Sequence, residues 1–128
     1  MGAALGFLRS QAIDTIYLVG ASKGGAAALA LAATDPDIAG VVTLSGVATF
    51  GDISLNESMV SKIHAPKLFI VDPADSASLD AENFMSWASP PKELKTFPSS
   101  GHGTEMLQSD SASQIERAIL DFLAAHSD

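Results

Sequence analysis

The sequence predicts an α/β protein of three layers, in which a short, mainly parallel sheet of about four strands is packed between helices. Two observations lead to this prediction. Four short apolar segments rich in strand-forming residues alternate along the chain with segments of helical pattern, which is typical of βαβ units. The chain has 128 residues, 47% of them hydrophobic, which suits one globular core, and we expect a single domain over residues 1–128.

The elements of the first half are indicated by apolar runs and by the glycine and proline residues that end them. A short N-terminal helix ends near the segment QAID, and the apolar run TIYLVG, which stops at Gly20, predicts a buried strand. Alanine and leucine residues predict a helix from Lys23 to about Thr34, which the segment DPDIAG ends. GVVTLSG is then the second strand.

The second half begins with a mixed segment, residues 47–66, in which NESMVSKIH predicts a short helix. KLFIVD is the third strand and ELKTF a weaker fourth strand. Between them, residues 78–88 are predicted to form a helix that Pro90 and Pro91 close.

A final helix is predicted from about Ser113 to His126. Ser113 and Glu116 have the spacing of a capping box, in which each side chain bonds the other residue's backbone N–H. With this helix in place, helices are expected on both faces of the sheet. Its apolar stripe consists of Ile115, Ile119, Phe122 and Leu123.

Composition and charge exclude several classes of partner. The formal net charge is −8, which argues against a nucleic-acid partner, because nucleic acids attract clustered basic residues. The longest apolar stretch, residues 24–33, is far shorter than the roughly 20 residues that span a bilayer, so no membrane partner is expected. No export signal is visible, and we therefore expect a cytoplasmic protein. Because the chain has no cysteine, it offers neither a disulfide nor a thiolate site.

The segment GASKGG allows two interpretations, of which the first is the glycine-rich turn of a nucleotide-binding domain. Gly20 and Gly24 fit the pattern of the short-chain dehydrogenases, but Ala26 stands in place of their third glycine. The only tyrosine, Tyr17, lies before the turn, whereas that family needs a tyrosine and a lysine after it. An NAD(P)-binding domain is therefore the least favoured alternative.

The second interpretation takes the five residues from Gly20 to Gly24 as G-x-S-x-G, the turn that exposes a nucleophilic serine between a strand and a helix. Glycines two residues before and two after Ser22 are expected to relieve the crowding of so tight a turn, and Gly25 is expected to extend that relief and let the helix approach the sheet. Ser22 would then lie at a helix N-terminus, where backbone N–H groups favour developing negative charge. The competing structural role for this serine is a helix cap.

A nucleophilic serine needs a histidine that takes its proton, and the chain has three histidines. His102 lies in the glycine-flanked loop SSGHGTE, just after the fourth strand and at the same edge of the sheet as Ser22. His64 precedes the third strand and so lies at the opposite edge, and His126 lies in the terminal helix, where solvation is expected. We therefore select His102, for which the competing role is an exposed loop histidine.

The histidine in turn needs a carboxylate that orients it, and three aspartates follow the third strand. Asp75 lies in the loop that can reach towards His102, and we choose it as the acid. Asp72, at the strand end, is the second choice because it is placed to cap the turn. Asp80 falls inside the next helix.

These motifs resemble those of the α/β-hydrolases, since IYLVGASKGGAAALALA is similar to their nucleophile elbow, APKLFIVDPAD to their acid strand and GHG to their histidine loop. The order Ser, acid, His along the chain is that of the family. The resemblance implies a serine hydrolase that cleaves small carboxylic esters without metal or organic cofactor. It also implies that Ser22 is the nucleophile, His102 the general base and acid, Asp75 the orienting carboxylate and the backbone N–H of Lys23 an oxyanion donor.

The family has further strands before the elbow, together with the loop that donates the second oxyanion N–H. Only 21 residues precede Ser22 here, so the resemblance is to a minimal member or to the C-terminal part of a hydrolase. TIYLVG then becomes an apolar edge strand, and we expect a homodimer or higher homo-oligomer that covers it. The alternative function is a catalytically weak or inactive assembly domain that keeps the hydrolase fold. The Lys23 side chain is expected to be solvated.

Overall fold

The structure is a computed structural model that describes residues 1–127. It has the three-layer α/β architecture that the sequence predicts. Four strands form a parallel sheet with the order β1-β2-β5-β6, where β1 is Ile16–Ala21, β2 Ile38–Leu44, β5 Lys67–Val71 and β6 Lys92–Thr96. The α-helices are α1 (Gly2–Ser10), α2 (Lys23–Ala32), α3 (Glu57–Val60), α4 (Ser78–Trp87) and α5 (Ala112–Ala125).

Strands β2 and β5 are buried on both faces, which explains why their sequences are largely apolar. Successive side chains point to opposite faces of a strand, so Leu68 and Phe69 enter two different cores. Phe69 belongs to the core that also contains residues of α1, α2, α3 and α4, and Leu68 belongs to the core that also contains residues of α5. Since both faces exclude water, nearly all side chains of these strands are apolar. The polar exceptions, Thr43 and Lys67, are buried as well, and the ammonium group of Lys67 donates to the carbonyls of Ile63 and Ala65.

The strands follow one another in space in their chain order, so all four carboxyl ends lie at the same edge of the sheet. Hydrogen bonding continues past these ends, because Ser22 N–H donates to the carbonyl of Leu44 at 2.8 Å and Ser45 N–H to the carbonyl of Ile70 at 2.8 Å. The segments that leave the strands are therefore fixed to the sheet as they enter the loops. In parallel α/β sheets, this is the edge at which sites form.

Two elements were not expected from the sequence. Within the mixed segment, β3 (Thr49–Phe50) and β4 (Ile53–Ser54) form an antiparallel hairpin, with Gly51 at φ 57° in its turn. A 3₁₀ helix over Gly103–Gln108 follows the histidine loop. Both are too short to produce a detectable apolar period.

The predicted capping box at the start of α5 is wrong. The helix begins at Ala112 with Ser111 as its N-cap residue, so Ser113 is already the second helical residue. A capping side chain must belong to the residue just outside the helix, and no side-chain cap bond is formed here. The predicted apolar stripe is present, with Ile115 and Phe122 buried and Ile119 and Leu123 packed against the same core.

Strand β1 lies at the edge of the sheet, as the sequence analysis expected, and within the described part of the chain it pairs with β2 alone. The side chain of Val19, at its centre, is 48% exposed. The homo-oligomer that would cover this edge stays a prediction. Within residues 1–127, no helix combines the length and the apolar character needed to cross a membrane.

Candidate active site

Ser22 occupies the turn between β1 and α2 with an unusual backbone conformation. Its φ of 52° and ψ of −114° lie in a region that residues other than glycine rarely adopt. The backbone on both sides fixes this conformation: the N–H donates to Leu44, and the carbonyl accepts from the N–H of Gly25 at 2.9 Å and of Ala26 at 3.3 Å. The serine side chain therefore leaves the sheet edge in a defined direction.

The glycines of the elbow do not share the role that the sequence suggested. A Cβ atom at Gly20 would lie 2.2 Å from the carbonyl oxygen of Gly24, so the turn excludes any side chain at this position. A Cβ atom at Gly24, in contrast, would meet nothing within 4 Å. The second close approach is at Gly25, where a Cβ atom would lie 2.8 Å from the Cα of Gly46. The prediction that Gly24 relieves crowding is thus wrong, because Gly24 faces open space and its neighbour packs against the sheet.

His102 reaches Ser22 from the loop that follows β6. Its Nε2 atom lies 2.8 Å from the Oγ atom of Ser22. The loop turns inward through three residues with positive φ, namely Ser99 (61°), Gly101 (90°) and Gly103 (60°). Two of the three are glycines, for which this conformation carries little strain.

Asp75 lies on the other side of the imidazole, with its Oδ2 atom 2.8 Å from the Nδ1 atom of His102. A carboxylate accepts only, so Nδ1 carries the proton and Nε2 is free to accept from the Ser22 hydroxyl. The Asp75 side chain is 12% exposed and that of His102 is 38% exposed. The structure thus brings Ser22, His102 and Asp75 into one hydrogen-bonded chain that solvent can reach.

The remaining aspartates near this edge make other contacts. The Oδ1 atom of Asp72 accepts the N–H of Ala74 at 2.9 Å, and its Oδ2 atom accepts the N–H of Gly101 at 3.0 Å. These backbone hydrogen bonds, that of Ala74 foremost, hold the pKa of Asp72 below its usual value. Asp72, the second choice for the acid, therefore caps the turn, as the sequence analysis expected of it. Asp80 lies in α4, where its carboxylate accepts the N–H of Ala48 at 3.0 Å.

Lys23 is the first residue of α2, and N–H groups in the first turn of a helix have no acceptor within the helix. This places its backbone N–H beside Ser22. The side chain is exposed, and its ammonium group lies 5.2 Å from the centre of the Phe50 ring. Phe50, from the β3–β4 hairpin, is a residue near the site that the sequence analysis did not identify.

The amino ends of the strands form the other edge of the sheet, and the other histidines lie away from the site. An open cleft of about 480 Å³ there is lined by Asp14, Asp37 and His126, among others. His64, which precedes β5, also lies at this edge. Within residues 1–127, no group of three His, Cys, Asp or Glu side chains is arranged to hold a metal ion.

Solved hydrolase structures resemble this chain closely in fold. The esterase domain of a Rhodothermus marinus protein superposes with a TM-score of 0.81 at 22% identity, over 98% of this chain and 67% of that chain. A monoacylglycerol lipase from Paleococcus ferrophilus gives 0.78 at 16% identity, over 97% and 74% of the two chains. A dienelactone hydrolase from Anabaena variabilis gives 0.72 at 24% identity, over 88% and 50%.

The four-stranded parallel sheet with its flanking helices is therefore part of an α/β-hydrolase fold. The chain spans between half and three quarters of the length of these three structures. No protein-family model matches the sequence, and no curated protein matches it.

Proposed function

We propose that this chain is a serine hydrolase that cleaves small carboxylic esters through an acyl-enzyme on Ser22. The observation that carries this proposal is the pair of 2.8 Å hydrogen bonds that joins Ser22, His102 and Asp75. A serine hydroxyl is a weak nucleophile until a base removes its proton, and a histidine oriented by a carboxylate is such a base. The fold shared with esterases and lipases supports the same class of chemistry.

The first half of the reaction forms the acyl-enzyme. The Oγ atom of Ser22 attacks the ester carbonyl carbon while its proton passes to Nε2 of His102. The carbonyl oxygen becomes an oxyanion, to which the backbone N–H of Lys23 donates. When the tetrahedral intermediate collapses, the bond to the alkoxy oxygen breaks, and His102 returns the proton so that the alcohol leaves neutral.

The second half releases the acid by the same steps with water as the nucleophile. Water attacks the acyl carbon and gives a proton to His102, and that proton then returns to Ser22 as the ester bond to the enzyme breaks. Asp75 stays ionised throughout, keeps the proton of His102 on Nδ1 and stabilises the imidazolium that forms in each half. One oxyanion donor is worth on the order of 10²- to 10³-fold in rate.

The experiment is hydrolysis of p-nitrophenyl acetate by the wild type, Ser22→Ala and Asp75→Asn. We expect Ser22→Ala to fall to the buffer background and Asp75→Asn to lose on the order of 10⁴-fold in kcat. Ser10→Ala is the matched control, since this exposed hydroxyl bonds the carbonyl of Phe7 and the side chain of Gln11 at the end of α1, away from the site, and should not matter. Equal rates in the wild type and in Ser22→Ala would contradict the proposal.

A second candidate is an assembly domain that keeps the hydrolase fold but has weak or no activity. The unpaired edge of β1 and the exposed Val19 favour it. A fluorophosphonate probe separates the two candidates, because it forms a covalent bond only with an activated serine. Labelling of Ser22, located by peptide mass spectrometry and lost in His102→Ala, supports the hydrolase, whereas an unlabelled wild type supports the assembly domain.

A further inference from the structure

The two residues that flank His102 are each held by a side chain from a different strand end. Gly101 donates its backbone N–H to the Oδ2 atom of Asp72 at 3.0 Å. Gly103 donates its backbone N–H to the Oγ atom of Ser45 at 2.9 Å. Ser45 directly follows β2 and Asp72 directly follows β5, so both acceptors belong to the rigid edge of the sheet.

Both acceptors are buried and have fixed orientations. Ser45 is completely buried, and its hydroxyl contacts the sulfur of Met106 at 3.4 Å, so the oxygen lone pairs stay directed at Gly103. Asp72 is 5% exposed, and its second oxygen is engaged by the N–H of Ala74. Neither side chain can turn away without leaving a buried polar group unpaired, which is costly.

Ser45 also has a strained backbone, with φ at 52°. Such a conformation favours glycine over any residue with a side chain. An alanine would suffer the same strain but offer no acceptor, and a glycine would relieve the strain but offer no acceptor. The contacts that distinguish serine from both are the bond with the Gly103 N–H and the weaker contact with the Met106 sulfur.

We propose that Ser45 and Asp72 are positioning residues that hold the backbone on either side of His102 and so set the distance between its imidazole and Ser22. The inference rests on the proposed function of the site. Asp75 orients the ring through Nδ1, but one bond at the ring does not fix the Cα atom of a loop residue. The bond of the Gly103 N–H fixes the peptide unit that leaves the His102 Cα, and the bond of the Gly101 N–H fixes the unit just before the one that enters it.

The physical need for two such bonds comes from the loop itself. Residues 99–103 have no regular structure apart from the start of the 3₁₀ helix, and three of them have positive φ. A displacement of about 1 Å between reacting groups costs on the order of 10²-fold in rate. Losing one of the two bonds should therefore lower kcat by about 10- to 100-fold and leave KM unchanged, because neither residue is placed to touch substrate.

The test uses Ser45→Ala, Ser45→Gly and Asp72→Asn in the full chain. Both serine variants remove the acceptor for Gly103, but only Ser45→Gly also removes backbone strain. Asn at position 72 keeps one acceptor oxygen for two N–H donors. The matched controls are Ser89→Ala and Asp35→Asn, both away from the site. In the wild type the hydroxyl of Ser89 bonds the carbonyl of Ser61, and the carboxylate of Asp35 bonds Arg9.

Two measurements are made on each variant, namely kcat and KM for p-nitrophenyl acetate and the proton NMR signal of the His102 Nδ1–H. A short bond to a carboxylate moves that signal far downfield, and it disappears when the ring exchanges freely with water. We expect the wild type and both controls to keep the signal. We expect all three test variants to lose or broaden it and to lose kcat at constant KM.

Three results would overturn the inference. The first is a wild-type signal and a wild-type kcat in the test variants. The second is Ser45→Gly behaving as the wild type while Ser45→Ala does not, because strain and not the hydroxyl would then be responsible. The third is a wild type without the Nδ1–H signal, since His102 would not be held at all. Failure of the proposed function alone would show as a wild type that keeps the signal but does not hydrolyse the ester.

Discussion

Gly20 and Gly24, the two glycines of the G-x-S-x-G motif, give the sharpest test, because the motif assigns both the same role and only Gly20 makes a close contact in the structure. In Gly20→Ala the new Cβ atom would start 2.2 Å from the carbonyl oxygen of Gly24. Real Cβ contacts are not shorter than 3.0 Å, so α2 must move by about 0.8 Å relative to β1. In Gly24→Ala the new atom meets nothing within 4 Å, and alanine is the better helix former.

The expected magnitudes follow from these distances. Forcing an atom into a filled space costs about 1–3 kcal/mol in the free energy of unfolding, and a backbone clash belongs at the upper end. Replacing a helical glycine with alanine contributes up to about 1 kcal/mol of stability. The two variants should therefore differ by about 2–4 kcal/mol, which for a chain of this size is on the order of 10 °C in Tm.

Activity should separate in the same way. The displaced helix begins directly after Ser22, and a shift of the serine approaching 1 Å costs on the order of 10²-fold in rate. We expect Gly20→Ala to lose ester hydrolysis by about that factor and Gly24→Ala to keep the wild-type rate. Urea unfolding followed by circular dichroism gives the stabilities, and p-nitrophenyl acetate gives the rates. If Gly24→Ala were destabilised as much as Gly20→Ala, the assignment of the close contact to Gly20 would be refuted.

Further predictions concern two buried charges and the free edge of the sheet. Burial lowers the pKa of Lys67 to about 8, so the unfolded chain holds this proton to higher pH than the folded one. The stability of the wild type relative to Lys67→Met should therefore rise between pH 8 and about 10.4, by up to about 1.4 kcal/mol per pH unit, and a constant difference in urea unfolding would contradict this. Backbone hydrogen bonds, that of Ala74 foremost, lower the pKa of Asp72, so its contribution is complete above about pH 4 and is lost as the pH falls through the folded value. Asp72→Asn should accordingly lose less stability than the wild type on acidification, and parallel acid curves would count against it. We expect a second copy to cover the edge of β1, where Val19 is exposed, and sedimentation velocity at micromolar concentration should report a homodimer or a larger assembly rather than a stable monomer.

The sequence predicted the strands and helices of the sheet well because their signals are local. The strand β5 is buried on both faces, and that burial is already visible in the uninterrupted apolar run LFIV at residues 68–71. Elements without such a signal were missed. The β3–β4 hairpin has two residues in each strand, too few for a period. The capping box failed because a spacing of three residues occurs by chance and the N-cap residue is Ser111, two residues before Ser113.

The sequence by itself determined which residues were available for the site, because the order of strands in a parallel sheet brings their carboxyl ends to one edge. That rule, together with the G-x-S-x-G motif, was enough to select Ser22 and His102 and to reject His64, and it left Asp75 as the first choice of acid and Asp72 as the second. It could not predict two features near Ser22 and His102, because these depend on which atoms come into contact in the folded chain. The close contact at Gly20 rather than Gly24, and the bond from Gly103 to Ser45, join segments that are adjacent only after the chain has folded. Tertiary structure alone decides such contacts, since their energies depend on the separation of atoms and not on their order along the chain.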